Sequence, residues 1–327
     1  MKNKLQILTL FAVVVVVLLG ARGFAKKEEV IATANISSAA ASLSAPSEMS
    51  IASRADNVDK ITEAIMGGSS GVSAKPIFYR ASNDSLPEVS AEAMLIADAQ
   101  SGERYLEVQA DKRWPIASLS KLMTAIVVVE KIDQESKVTI EGGDLADGAN
   151  SVLAAGDTYR ARDLLKAMLI ASKNTAANAF ARTYGKEAFV SAMNDKAKSY
   201  GMSDTNFGDP SGLSVANQST LSDLLKLVRG ISFEHPDIWK MTQNSRISIK
   251  EQSSGRFKIF TSTNQFVDRS DFYGGKTGYT PESDGNLLTV FLYGKRTLAI
   301  IVLGSQDRFG DSQTIFNWFK DDFKPSN

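Results

Sequence analysis

Ser118 and Lys121 stand three residues apart in Ser118-Leu119-Ser120-Lys121, which sets a possible nucleophile beside a possible base. Helix positions i and i+3 share a face, so a helix here brings the amine next to the hydroxyl. A serine hydroxyl is a weak nucleophile until a base takes its proton. A lysine can be that base only when burial or a nearby cation lowers its pKa. Two more short patterns follow, Ser172-Lys173-Asn174 and Lys276-Thr277-Gly278. Ser172 could relay a proton between Lys121 and a leaving amine, and Asn174 could hold Lys121 and a substrate amide in place. Lys276 could supply the neighbouring cation. With the Thr277 hydroxyl it could also bind a substrate carboxylate. Gly274, Gly275 and Gly278 would let a second backbone approach, as an edge strand accepting a peptide requires. The backbone N–H groups of Ser118 and Tyr279 could form an oxyanion hole.

Each pattern alone has an ordinary explanation. A lone Ser118 and Lys121 read as an N-cap and a solvated helix lysine, and Asn174 reads as a cap. A serine–x–x–lysine match arises by chance on the order of once in a chain of this length. Order, spacing and context carry the reading. Composition removes the competitors. The 327 residues include no cysteine, so thiol nucleophiles, disulfides and thiolate metal sites are excluded. The one histidine, His235, precedes Pro236 at an expected helix entry and reads as structural, so neither a paired-histidine zinc site nor a serine–histidine triad is expected. Gly275-Lys276-Thr277 resembles the end of a phosphate loop, but the required earlier glycine is Ser270 and a strand follows instead of a helix. Lysine plus arginine balances aspartate plus glutamate at 37 each, so no global field favours nucleic acid or an anionic membrane.

The elements that must hold these residues follow from periodicity. Met94–Asp98 and Arg104–Val108 flank a Gln-Ser-Gly turn, which predicts a hairpin. Helices are expected from Ser118 to about Ile132, then over Arg162–Ala171, Asn174–Tyr184, Glu187–Tyr200 and Ser219–Ile231. Strands return over Ser245–Ile249, Arg256–Ile259, Phe272–Lys276, Leu287–Tyr293 and Leu298–Gly304, and a helix closes the chain over Ser312–Phe323. The block order predicts an α+β fold. An antiparallel sheet is flanked by helices, and an all-helical subdomain is inserted into it. The first hairpin and the late strands should share one sheet, with the cleft between the sheet and the helical insert.

The N-terminus has Lys2 and Lys4, an apolar run from Leu5 to about Gly20, and Gly23-Phe24-Ala25. Residues 1–25 therefore read as a secretory signal or an uncleaved membrane anchor. Residues 26–87 are rich in alanine and serine and read as a flexible linker, with a short helix possible over Asp56–Met66. The expectation is an exported protein, in the periplasm or on the outer face of the cell membrane, touching the membrane only through its N-terminal segment. Residues 88–327 form the working domain.

The three patterns together match the S-x-x-K, S-x-N, K-T-G set of β-lactamases and penicillin-binding proteins. Residues from about 88 to 327 resemble the serine D-Ala-D-Ala carboxypeptidases, the low-molecular-mass penicillin-binding proteins. The resemblance rests on Pro115 to Ala125, Asp209-Pro210-Ser211-Gly212-Leu213 and Gly275-Lys276-Thr277-Gly278-Tyr279-Thr280. It implies a β-lactamase/transpeptidase-like fold and an acyl-enzyme on Ser118. Peptidoglycan stem peptides would be the substrates, β-lactams the acylating inhibitors, and no cofactor is implied. Lys173, Ser211 and Ser283-Asp284-Gly285-Asn286 depart from the common pattern and bear on substrate preference. Single-domain relatives include D,D-endopeptidases, which makes cross-link cleavage the nearest alternative. A β-lactamase would need a deacylation segment of the Glu-x-x-Leu-Asn kind, and none occurs between the second and third motifs. A non-catalytic wall-binding protein is the remaining alternative, and intact Ser118 and Lys121 speak against it.

Overall fold

The computed structural model describes residues 77–82, 85–147 and 152–326. The expected signal segment and the helix over Asp56–Met66 lie outside the described residues. The stretch expected as linker runs to residue 87, and here the structure differs. Strand β1 (Phe78–Arg80) pairs antiparallel with strand β13 (Phe323–Pro325) at the other end of the chain. Phe78 is buried edge-on against Tyr105 and Phe319. The Ile77 amide donates to the Glu103 carboxylate at 3.0 Å. The alanine- and serine-rich composition masked Phe78 and Tyr79, two residues with a strong β preference.

A five-stranded antiparallel sheet organises the domain. Its strands are β2 (Ala93–Asp98), β3 (Arg104–Val108), β10 (Phe272–Thr280), β11 (Asp284–Tyr293) and β12 (Arg296–Ser305), in the order β10-β11-β12-β2-β3. The first hairpin and the late strands thus share one sheet, as expected, and β10 is an edge. Both faces are covered, so β2 and β12 read as apolar runs without alternation. Leu95, Ala97, Leu288, Val290, Ile301 and Leu303 point into a core shared with the helices. Met94, Ile96, Leu287, Phe291, Ile300 and Val302 point the other way, onto Ile315, Phe316 and Phe319 of the last helix.

The helical part contains α1 (Lys121–Lys131), α2 (Ala161–Ile170), α3 (Asn174–Tyr184), α4 (Lys186–Ser199), α5 (Leu221–Glu234) and α6 (Asp237–Thr242). Helix α7 (Arg308–Asp322) covers the outer face of the sheet. Helix α1 packs on α2, α3 and α4, and every residue from Lys121 to Val128 is buried. A helix enclosed on all sides has no polar face, so its first residue is buried although it is a lysine. Short pairs complete the fold: β4 (Trp114–Pro115) with β7 (Gln218–Ser219), β5 (Lys137–Thr139) with β6 (Thr158–Arg160), and β8 (Arg246–Lys250) with β9 (Phe257–Thr261). Among the described residues, no helix is long and apolar enough to cross a membrane.

Phe316 stacks on Phe291 with ring centroids 4.6 Å apart, fastening α7 to the sheet. Phe316→Ala is expected to lower unfolding stability by about 3–5 kcal/mol in a denaturant titration. A change near zero would show that α7 does not pin the sheet.

Candidate active site

The nucleophile turn is a 3₁₀ segment, Ala117–Ser120, immediately before α1. The sequence suggested that Ser118 opens the α-helix. Instead the helix begins at Lys121, and Ser118 lies in the tighter turn ahead of it. The i+3 relation still holds, because 3₁₀ geometry nearly eclipses i and i+3. Ala117 has φ +48, the left-handed region that a Cβ disfavours. Gly212 lets the neighbouring loop approach it closely. A Cβ on Gly212, itself at φ +84, would lie 1.9 Å from Ala117 O. On the opposite side, a Cβ on Gly278 would lie 2.9 Å from Ile116 O and 3.2 Å from Ser118 N. The turn is clamped between two glycines.

Lys121 has no exposed surface. Its Nζ lies 2.8 Å from Ser118 Oγ, and it donates to Asn174 Oδ1 at 2.7 Å and Ser211 O at 2.5 Å. Burial pushes its pKa from 10.5 down to about 7, against the upward pull of Asp209 and Asp147. A neutral amine has two N–H donors and one lone pair. Asn174 Oδ1 and Ser211 O can only accept, so they take both N–H groups, and the lone pair is left for the Ser118 proton.

Ser172 follows α2 with φ +55, a second strained residue at the site. Its hydroxyl accepts from Lys276 Nζ at 2.9 Å. Asn174 is the first residue of α3. It does not cap that helix, because Asp147 does: the amides of Asn174 and Thr175 donate to its carboxylate at 2.9 and 3.3 Å. The Asn174 side chain is therefore free to hold Lys121.

Lys276 and Thr277 lie on edge strand β10, 1% and 4% exposed, and the Lys276 ammonium also donates to Thr277 O at 2.8 Å. Burial, then the positive charges of Lys121 and Arg308, push the Lys276 pKa well below its ordinary value. The sequence left two causes open for a depressed Lys121, burial or a nearby cation such as Lys276. In the structure burial lowers Lys121, and Lys276 is itself lowered. Tyr279 follows on the rim with its side chain exposed. Hydrogen bonds thus join Ser118, Lys121 and Asn174 in one group and Ser172, Lys276 and Thr277 in another, and the two groups meet where Gly278 of β10 lies against the Ser118 turn. His235 lies elsewhere, at the end of α5, with Nε2 3.0 Å from a Glu130 carboxylate oxygen.

Several contributors carried no motif of their own. Asp209 Oδ1 accepts the Ser211 and Gly212 amides at 2.6 and 2.7 Å and fixes the loop that presents Ser211 O. Asn217 ties that loop to the turn, donating to Asp209 O at 2.9 Å and Ser120 Oγ at 3.0 Å. Arg308 Nη1 donates to Gly278 O at 2.6 Å. Asn286 donates to Pro115 O at 2.9 Å and accepts the Gly304 amide at 3.0 Å, joining the nucleophile segment to the sheet.

A buried lysine paired to a serine on a penicillin-binding type of fold defines a class of serine acyl-transferases. The sequence model of the D-alanyl-D-alanine carboxypeptidase family matches residues 80–307, and the chain belongs to that serine peptidase family. The D-alanyl-D-alanine endopeptidase of Escherichia coli (strain K12) is 32% identical over 251 residues, 73% of this chain and 80% of that protein. The crystal structure of a D-alanyl-D-alanine carboxypeptidase from Mycobacterium tuberculosis H37Rv aligns with a TM-score of 0.67 and 27% identity, over 74% of this chain and 95% of its own. Cefotaxime-bound penicillin-binding protein D2 from Listeria monocytogenes aligns with a TM-score of 0.63 and 30% identity, over 72% of this chain and 98% of its own.

Three outcomes follow from this geometry. The base must be neutral, so the acylation rate should rise with pH through about 7 and level off above it. Below that it should fall about tenfold per pH unit. Asp147→Asn removes a charge that favours the ammonium, so it should move this limb to lower pH. An unmoved limb in a pH series of penicillin acylation would contradict the assignment. Gly212→Ala forces a Cβ onto Ala117 O, so it should abolish acylation, read by loss of covalent adduct in mass spectrometry.

Proposed function

We propose that the chain removes the C-terminal D-Ala from peptidoglycan stem peptides through an acyl-enzyme on Ser118. One observation carries the reading: a fully buried amine 2.8 Å from a serine oxygen, with both its N–H groups engaged elsewhere. The substrate extends along edge strand β10, and Lys276 with the Thr277 hydroxyl receives its C-terminal carboxylate. Ser118 Oγ adds to the carbonyl of the penultimate D-Ala while its proton passes to Lys121 Nζ. The amides of Ser118 and Tyr279 stabilise the developing oxyanion. As the tetrahedral centre collapses, the C–N bond breaks and the leaving amine takes a proton through Ser172. A water molecule, deprotonated by Lys121, then cleaves the ester and restores Ser118. A β-lactam enters by the same attack, but its leaving nitrogen stays tethered, so the ester persists. The N-terminal apolar segment supports export, which puts the domain where peptidoglycan is.

A second reading is D,D-endopeptidase action on cross-links, favoured by the 32% identity to an endopeptidase. Mass analysis of muropeptides separates the two. Carboxypeptidase action shortens pentapeptides by one alanine, whereas endopeptidase action converts cross-linked dimers to monomers. Ser118→Ala should lower either activity by at least about 10³-fold and abolish the covalent penicillin adduct. A wild-type protein that shows neither activity and forms no adduct would overturn the proposal.

A further inference from the structure

Thr263 is an exposed residue in the loop joining β9 to β10. Its hydroxyl lies 2.7 Å from the hydroxyl of Thr277. Its amide donates to Ile170 O at 3.1 Å, at the end of α2 and two residues before Ser172. Thr263 therefore spans the two walls of the cleft, between the loop that carries Ser172 and the strand that carries Lys276.

Either hydroxyl can be the donor in this short contact, and the demand of a substrate carboxylate on Thr277 selects between the two directions. Each hydroxyl has one proton to give and lone pairs to receive with. Thr277 can donate to a carboxylate only if its proton is not committed to Thr263. Lys276 is poorly placed to orient the Thr277 hydroxyl. Its Nζ lies 3.5 Å from Thr277 Oγ1 and is engaged at shorter range by Ser172 Oγ and Thr277 O. Thr263 has one other acceptor, Ile170 O, also at 3.5 Å, the outer limit of a hydrogen bond. When the Thr277 proton is given to a carboxylate, the short contact is left to be donated by Thr263 and accepted by Thr277.

We propose that Thr263 is a positioning residue for substrate recognition: by donating to Thr277 Oγ1, it aims the Thr277 proton at the C-terminal carboxylate of the substrate. This rests on the reading that Thr277 binds that carboxylate. Thr263 touches no reacting atom, so its effect belongs to binding and depends on the carboxylate.

The test compares two substrates on the full-length protein, a D-Ala-D-Ala peptide with a free C-terminal carboxylate and the same peptide as its C-terminal amide. Thr263→Val should raise KM for the carboxylate substrate about fivefold, the worth of one hydrogen bond, and leave kcat within about twofold. The amide should be cleaved at the same kcat/KM by wild type and variant. Thr263→Ser keeps the hydroxyl and should restore KM. Equal losses on both substrates, or no rescue by serine, would overturn the proposal. Thr277→Val is the control for the underlying reading. If it loses the preference for carboxylate over amide while Thr263→Val keeps it, the inference about Thr263 fails alone. If Thr277→Val also keeps that preference, the carboxylate role of Thr277 fails.

Discussion

The burial of one amine governs the arrangement of this domain. Unfolded, the Lys121 side chain titrates near 10.5, and in the fold it titrates at about 7. At and below pH 7 that difference costs the fold on the order of 5 kcal/mol, and the penalty fades as pH rises towards 10.5. This is comparable with the whole net stability of a typical domain. The large core around α1 offsets it: Leu122 to Val128 are buried without a break, and two acceptors take the amine's hydrogens. The cost cannot be removed without removing the base, because a solvated lysine would be protonated and could not accept the serine proton.

The same requirement explains the double-faced sheet and the strained turns. A base in a dry interior needs its nucleophile at the boundary of that interior. The 3₁₀ turn supplies this boundary, with Ser118 half-exposed between buried Ala117 and Leu119. Ala117 and Ser172 both adopt positive φ without being glycine. Each such residue costs about 1–3 kcal/mol, and each persists because its surroundings leave no other conformation. For Ala117 those surroundings are Gly212 and Gly278. The sheet, packed on both faces, does not yield, so β10 keeps Lys276 and Thr277 in place against the turn.

Much of this was legible in the sequence. The helices and the five central strands were marked by runs and periods that burial imposes, and their bounds agree to within a few residues. The three motifs named six of the seven expected residues, and the seventh, Tyr279, directly follows the third motif. What escaped has a common cause: short segments whose structure depends on distant partners. Strand β1 exists because Phe323–Pro325 lies opposite it, far away along the chain. Asp147 lies 27 residues before the helix end that it caps. Asn217, Asn286 and Arg308 act through backbone groups brought close only by the fold, and no local pattern announces such a role. The electrostatic cause was left open between burial and a neighbouring cation, because a motif can suggest the cation whereas complete burial of a lysine shows only in the fold.

The departures from the family pattern make physical sense once main-chain and side-chain roles are separated. At position 211 the atom that serves Lys121 is the backbone carbonyl, which every residue provides. The Ser211 side chain turns to Asp209 at 2.7 Å and helps close the loop, so a change of side chain here leaves the base in the same environment. Lys173 is similar: its backbone enters α3, while its side chain has no hydrogen bond or ion pair among the described residues. In Ser283-Asp284-Gly285-Asn286 the side chains carry more of the load. Ser283 Oγ accepts the Thr280 amide at 2.9 Å and tightens the turn after the third motif, and Asn286 grips Pro115. Substitution there alters how firmly the nucleophile segment is held to the sheet and leaves the chemistry of the amine untouched. Where a position contributes through its main chain, its residue type can drift. Where it contributes through an amine, a hydroxyl or an amide side chain, as Lys121, Ser118 and Asn174 do, the chemistry fixes the residue.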